Sequence, residues 1–341
     1  MTTTGAGRAR PGTGPVRSGT TATRSGGTAT PSGPIPPARP GVRRRRRREA
    51  TSALLFISPW IIGFLVFTLW PILQSAWLSM TDYDVLHAAR WVGWDNYVEL
   101  FRDPKVALSL GNTVLFTVLE VPAHVLVSLV LALLLARAGR ASGFFRTVFF
   151  LPKMTPAVAV GALFLLVFNG QDGLVNRALA LVGIDGPAWT TDPAWVKPGL
   201  VIMSLWTVGA SVVIFLAALR AVPSDLLEAA TLDGAGAWQR TLRVTLPLIS
   251  PSIFFVTVVT TIASFQTFTE SYTAFFGASS SAYGNDAALF YVIYLFQQGF
   301  EYLHMGFASA MAWVLFLIIL AVTIVQIRVS RRLVHYEAGD A

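Results

Sequence analysis

Six stretches of the chain are apolar over about twenty or more residues and carry few charges: 53–79, 111–135, 147–168, 198–219, 247–269 and 307–327. A helix rising about 1.5 Å per residue needs about 20 residues to cross about 30 Å of hydrocarbon, so each stretch predicts one membrane-spanning helix. The last is the cleanest, with no charge between Phe307 and Ile327. Pro71, Pro122, Pro152 and Pro156 fall inside these stretches or at their edges. Membrane helices tolerate proline where neighbouring helices or water satisfy the freed carbonyls. The pattern predicts an all-α, polytopic membrane protein with six transmembrane helices.

Composition agrees and narrows the functions available. Of 341 residues, 54% are hydrophobic and 13% charged, about half the charge of an ordinary soluble domain. Zero cysteine excludes disulfides, thiolate metal sites and cysteine nucleophiles. The net charge of +8 suggests nucleic acid at first sight, but eleven of the 26 basic residues lie in the first 48 positions. Residues 1–42 are mostly Thr, Gly, Ser, Ala, Pro and Arg, too poor in large apolar side chains to offset the entropy of ordering. They predict a disordered tail, with neither the apolar run nor the cleavage site of a signal peptide. Six consecutive arginines follow at 43–48, just before the first apolar stretch. Such a juxtamembrane run holds the N-terminus in the cytoplasm and touches anionic lipid, so lipid is an expected partner and nucleic acid is not. The division expected is a basic cytoplasmic tail, 1–50, and a six-helix domain, 51–341.

Orientation follows from the connections. With the N-terminus inside, the inner segments hold 20 Lys and Arg and the outer segments five; cytoplasmic loops carry that excess. Both termini are therefore expected in the cytoplasm. The chain has no GxxxxGK[ST] phosphate loop, since its lysines, Lys105, Lys153 and Lys197, none of them preceded by glycine, leave no such motif, and it has no HExxH. It is expected not to be an enzyme, so work done across the membrane draws on a partner or an ion gradient.

The inner connection 222–247 is too patterned for a simple loop. Pro223, Ser224 and Asp225 start a helix, with Ser224 as expected N-cap and an acid in the first turn. Leu226, Leu227, Ala229 and Ala230 form a small apolar face, and Gly234 and Gly236 break the helix and permit positive φ. A second short helix is expected from about 237 to 242. Two short helices around a glycine elbow make a knob suited to a groove on a cytoplasmic partner.

This segment resembles the EAA loop of ABC-importer permeases, whose pattern is E-A-A, three residues, G, nine residues, I-x-L-P. Here it runs Glu228-Ala229-Ala230, Thr231, Leu232, Asp233, then Gly234, nine residues, and Val244-Thr245-Leu246-Pro247, with Val in place of Ile. The resemblance continues through Asn112-Thr113, Phe145-Arg146-Thr147, Leu151-Pro152, Gly173-Leu174-Val175-Asn176, Met305-Gly306-Phe307-Ala308-Ser309-Ala310, Trp313-Val314-Leu315-Phe316 and the closing 331–337. It is tightest over about 108–330 and is similar to the maltose-type carbohydrate uptake branch. It implies a type I ABC importer permease fold and a permease subunit translocating a sugar of di- or oligosaccharide size. The implied partners are a second homologous permease subunit, two ATPase subunits and an extracytoplasmic sugar-binding protein. This chain would bind no cofactor, and ATP and Mg would be used by the ATPase subunits. The residues implied to couple to the ATPase are Glu228, Ala229, Ala230, Asp233, Gly234, Leu246 and Pro247.

For a sugar path, the fifth stretch places Thr257, Thr261, Ser264 and Phe268 at helical spacing, with Thr260 and Thr267 adjoining and Val258 and Val259 expected to point elsewhere. The fourth offers Trp206, Thr207 and Ser211. Hydroxyls and rings suit a sugar, and the same residue types also pack membrane helices together. Glu120 and His124 lie within the second stretch, where ionisable groups are functional by default; at i, i+4 they can also simply pair. Alternatives left open are an ABC permease for a non-sugar solute such as glycerol phosphate, a proton-coupled secondary transporter, and a membrane scaffold or receptor without transport.

Overall fold

In a computed structural model of the protein, the described residues are 53–170, 172–276 and 286–333. The basic tail, its arginine run and the 334–337 part of the closing motif lie outside them. The chain divides into residues 1–63 and 64–341. The described part of the first is the opening of helix α1 (Ala53–Leu78), where Leu54, Leu55, Phe56 and Trp60 are exposed.

The second unit is almost entirely helical among its described residues. After α1, a short hairpin pairs β1 (Thr81–Asp82) with β2 (Arg90–Trp91) in antiparallel register, and α2 (Asp95–Arg102) follows. Asn96 on α2 donates to the carbonyls of Ser79 and Thr81, each at 2.9 Å. Helix α3 (Pro104–Arg137) runs 34 residues. Asp103 caps it by accepting from the Lys105 N–H at 2.8 Å, and Pro104 occupies its first turn, where no N–H is needed. Pro122 lies inside it without ending it.

The third apolar stretch is not one straight helix. It divides into α4 (Ser142–Phe150) and α5 (Ala157–Val167), and Gly139–Met154 is bent by 97° from Ala157–Val167. Thr155 is extended, with φ −72° and ψ 131°, because a residue before proline avoids the helical region and Pro156 follows. After α6 (Leu174–Ala180), the fourth stretch also bends, by 55° between Pro193–Thr207 and Gly209–Ala221. Its halves are α7 (Pro193–Ser204) and α8 (Gly209–Ala221). The bend sits where α8 closes on the end of α4: a Cβ at Gly209 would collide with the Phe149 carbonyl.

The remaining helices are α9 (Ser224–Leu232), α10 (Ala237–Arg240), α11 (Ser250–Phe265), α12 (Thr269–Phe275), α13 (Tyr291–Phe296) and α14 (Met305–Leu333). Among the described residues four helices are long and apolar enough to cross a membrane, or up to six if each bent pair is one span. The main core joins Phe116 of α3, Phe164 of α5, Leu200 of α7, Phe275 of α12, Tyr291 of α13 and Met311 of α14. A smaller one joins Ala132, Val212, Phe215 and Val256 from α3, α8 and α11.

Several residues singled out by resemblance fasten connections. Asn112 donates to the carbonyls of Asp286 at 2.7 Å and Leu289 at 3.0 Å, and Thr113 Oγ1 accepts from the Tyr291 N–H at 2.9 Å. Asn176 donates to the Gly170 and Pro187 carbonyls and accepts from Trp189 Nε1 at 2.8 Å. At Gly306 an added Cβ would collide with the Thr81 carbonyl.

Candidate functional site

Two features of the helical body lend themselves to function: a cavity among the helices, lined by hydroxyl, charged and apolar side chains, and the elbow between α9 and α10. The cavity measures about 440 Å³. Its walls come from α3 (Phe116, Glu120, His124), the turn between α4 and α5 (Lys153), α7 and α8 with their connection (Met203, Ser204, Thr207, Ala210, Ser211), and α11 with α12 (Thr260, Ala263, Ser264, Thr267, Phe268, Glu270, Ser271).

Of the residues marked for a sugar path, Thr207, Ser211, Ser264 and Phe268 line this cavity, and Trp206, Thr257 and Thr261 do not. Trp206 is 59% exposed. Thr257 Oγ1 donates to the Ile253 carbonyl, and Thr261 Oγ1 donates to the Thr257 carbonyl and accepts from Gln326 of α14 at 2.9 Å. Thr261 thus faces α14, away from the open side. The wall-forming series on α11 is Thr260, Ala263, Ser264 and Thr267 just beyond its end, and Val259, expected to point away, also lines the cavity. Phe268 arrives by a different route. Helix α11 ends at Phe265, and Phe268 sits in the break before α12 with φ −141° and ψ −69°. Its ring lies 5.0 Å from Tyr272 and 5.1 Å from Phe296, centroid to centroid.

Hydrogen bonds order the wall. Ser264 Oγ donates to Thr117 Oγ1 at 3.1 Å, joining α11 to α3. His124 Nε2 and Ser211 Oγ are 2.9 Å apart, joining α3 to α8. His124 Nδ1 is 3.4 Å from Glu120 Oε1, a loose contact. Glu120 is 6% exposed, and no group among the described residues donates to its Oε2. Lys153, Glu270, Gln266 and Met203 also line the cavity without having been marked for it. Lysine within an apolar stretch was the one signal available for Lys153; the others depend on how the helices pack.

The elbow is local. Pro223, with Ser224 as the first helical residue, precedes α9 where Ser224 was expected to cap it; no side-chain cap forms there, and Ser224 Oγ reaches Asp225 Oδ1 at 3.2 Å. The helix closes through two backbone bonds, Gly234 N–H to the Thr231 carbonyl and Ala235 N–H to the Ala230 carbonyl, each 3.0 Å. This double closure needs a left-handed residue, and Gly234 supplies it with φ +80°. Gly236, expected to permit positive φ, is extended instead, at φ −66° and ψ 164°. Gln239 Oε1 accepts from the Gly236 N–H at 3.0 Å, and Arg240 donates to Thr231 Oγ1 at 2.6 Å. The second helix continues from α10 as a π-helical turn, Thr241–Thr245. Glu228, Ala229, Asp233 and Gly234 are exposed, while Ala230, Leu246 and Pro247 are half-buried. Leu232 is 89% and Trp238 73% exposed.

Known proteins resemble the chain over nearly its whole length. It is 40% identical over 300 residues to the probable ABC transporter permease protein YesP of Bacillus subtilis (strain 168), covering 87% of this chain and 96% of YesP. It is 34% identical over 292 residues to the lactose transport system permease protein LacF of Rhizobium radiobacter, covering 84% and 96%. In fold it is similar to a chain in the crystal structure of a bacterial alginate ABC transporter in complex with an alginate pentasaccharide-bound periplasmic protein. The TM-score there is 0.71 at 23% identity, over 86% of this chain and 98% of that one; at such identity the likeness speaks of fold alone. Residues 125–335 match the binding-protein-dependent transport system inner membrane component family. The chain belongs to that family and is a multi-pass permease component of an ABC transporter in the cytoplasmic membrane.

Proposed function

We propose that this permease subunit, paired with a second similar one, forms the path by which a sugar of di- or oligosaccharide size enters the cell. An extracytoplasmic sugar-binding protein delivers the cargo, and two ATPase subunits beneath supply the work from ATP and Mg. The observation that carries the reading is the cavity lining. Thr207, Ser211, Thr260, Ser264 and Thr267 line the cavity together with Phe116 and Phe268. A sugar needs donors and acceptors around its rim and an apolar surface beneath its ring. A volume of about 440 Å³ lies within the usual range for small-molecule sites, and the similarity to a lactose permease supports the same cargo class.

In this reading the elbow couples the cavity to the ATPase. Glu228 makes charged contacts in the ATPase groove, Gly234 and Asp233 fix the angle, Ala229 and Ala230 line the contact, and Leu246 with Pro247 passes the motion to α11. Differential contacts with the nucleotide-bound partner shift the permease between inward-open and outward-open states.

Ser264→Trp tests the path. The bulky ring fills space that a small hydroxyl leaves open, so labelled-sugar uptake in reconstituted vesicles is expected to be lost while binding-protein-stimulated ATP hydrolysis persists. Loss of both, with poor membrane yield, makes that face of α11 a packing surface and removes it from the path.

A further inference from the structure

We infer that Glu120 is a specificity-determining carboxylate of the cavity, accepting hydroxyls of a neutral saccharide and disfavouring acidic ones. The inference rests on the sugar reading of this cavity and adds a selection rule to it. Glu120 is 6% exposed, lines the cavity, and receives no hydrogen bond at Oε2 among the described residues. Buried carboxylate oxygens are costly to leave without a donor, and a saccharide brings several O–H donors. Bonds from hydroxyl to carboxylate are short and among the stronger ones.

The neighbours stand close to Glu120 without satisfying it. His124 is tied to Ser211 of α8 through Nε2, and its Nδ1 stays 3.4 Å from Glu120 Oε1. No hydrogen bond forms at that contact, and His124 Nδ1 has no hydrogen-bond partner of its own among the described residues, so the carboxylate stays open to a cargo hydroxyl. Among the described residues, the other charged groups lining the cavity are Lys153 and Glu270. Lys153 is exposed and Glu270 half-buried, so an acidic cargo meets two carboxylates against one lysine, the least exposed of the three being Glu120. Like charges brought together away from water repel strongly.

The test uses the assembled transporter, this chain with its partner permease and ATPase subunits, in lipid nanodiscs. Equilibrium binding of labelled lactose and of digalacturonate compares a neutral with an acidic disaccharide. The wild type is expected to prefer lactose by at least about tenfold. Glu120→Gln should weaken lactose by about tenfold or more and narrow the neutral-to-acidic ratio. His124→Gln should move the ratio in the same direction by less. Ser264→Trp should abolish binding of both.

If Ser264→Trp leaves lactose binding intact, the cavity itself is not the path and the sugar reading fails. If Ser264→Trp blocks binding while Glu120→Gln and His124→Gln lower the melting temperature together and leave the ratio at its wild-type value, the cavity stands and Glu120 is only a packing partner of His124. A wild type that binds neither probe, or both equally, overturns the selection rule.

Discussion

Around the cavity, wall residues are tied across elements far apart in sequence; in the elbow, nearly every bond runs between close neighbours. Ser264 reaches Thr117 across 147 positions and His124 reaches Ser211 across 87. The elbow's closing bonds, by contrast, link Ala235 to Ala230 and Gly234 to Thr231, and its longest side-chain tie, Arg240 to Thr231, spans nine. No residue of α9 or α10 is buried, and large apolar side chains such as Leu232 and Trp238 are left exposed. A region shaped by its own sequence can move as a unit and offer its surface to another chain. A region shaped by packing has to be rearranged whole, as a switch between two states of a pore requires.

Substitutions can break this contrast from either side. The largest expected effect is Gly209→Ala. Its Cβ would strike the Phe149 backbone carbonyl, which no rotamer change relieves, so the contact between α4 and α8 must open at a cost of about 3 kcal/mol. Thermal unfolding in detergent is expected to drop sharply, with transport lost as a consequence. An unchanged melting temperature would mean that the bend at 208–209 is not set by that contact.

Gly234→Val should act differently. A Cβ there meets nothing within 4 Å, yet φ of +80° strains a β-branched residue by at least about 1–2 kcal/mol. Helix α9 should fray at its end while the packed body melts as before. Uptake and stimulated ATP hydrolysis are expected to fall together, where Ser264→Trp separates them. Gly236→Ala, at an extended backbone where an added Cβ would come no closer than 4.0 Å to Gln239 Oε1, is the matched control and should transport normally. Equal loss in both variants would shift the elbow's angle from Gly234 to the whole pair.

The smallest effect on the fold is expected from Trp238→Ser. With 73% of the ring exposed, its removal should change stability by no more than about 0.5 kcal/mol. Retention of the ATPase subunits during purification should nevertheless weaken, since exposed aromatic anchors carry much of an interface's affinity. Undiminished retention would leave the apolar face of the elbow without a docking role.

Sequence alone determined what depends on composition and near neighbours. Twenty apolar residues in a row place a helix in hydrocarbon wherever its neighbours stand, so the six stretches were legible, and so was the elbow, because a left-handed glycine closes a helix through bonds only five residues long. Proline at 156 marked the break after Thr155 without giving its angle. Tertiary structure decided the rest. Helical spacing says that Thr257 and Thr261 share a face, but the rotation of α11 about its axis is set by packing against α3 and α14, which turned Thr261 toward Gln326 and opened Thr260, Ala263 and Ser264 to the cavity. The spacing that carried Phe268 onto the same stripe failed because α11 stops at Phe265. Ser211 met His124 only because α8 crosses α3 at that height. Periodicity fixes which residues of one helix stand together; which helix they stand against is fixed by contacts between segments distant in the chain, and those are written in no single stretch of it.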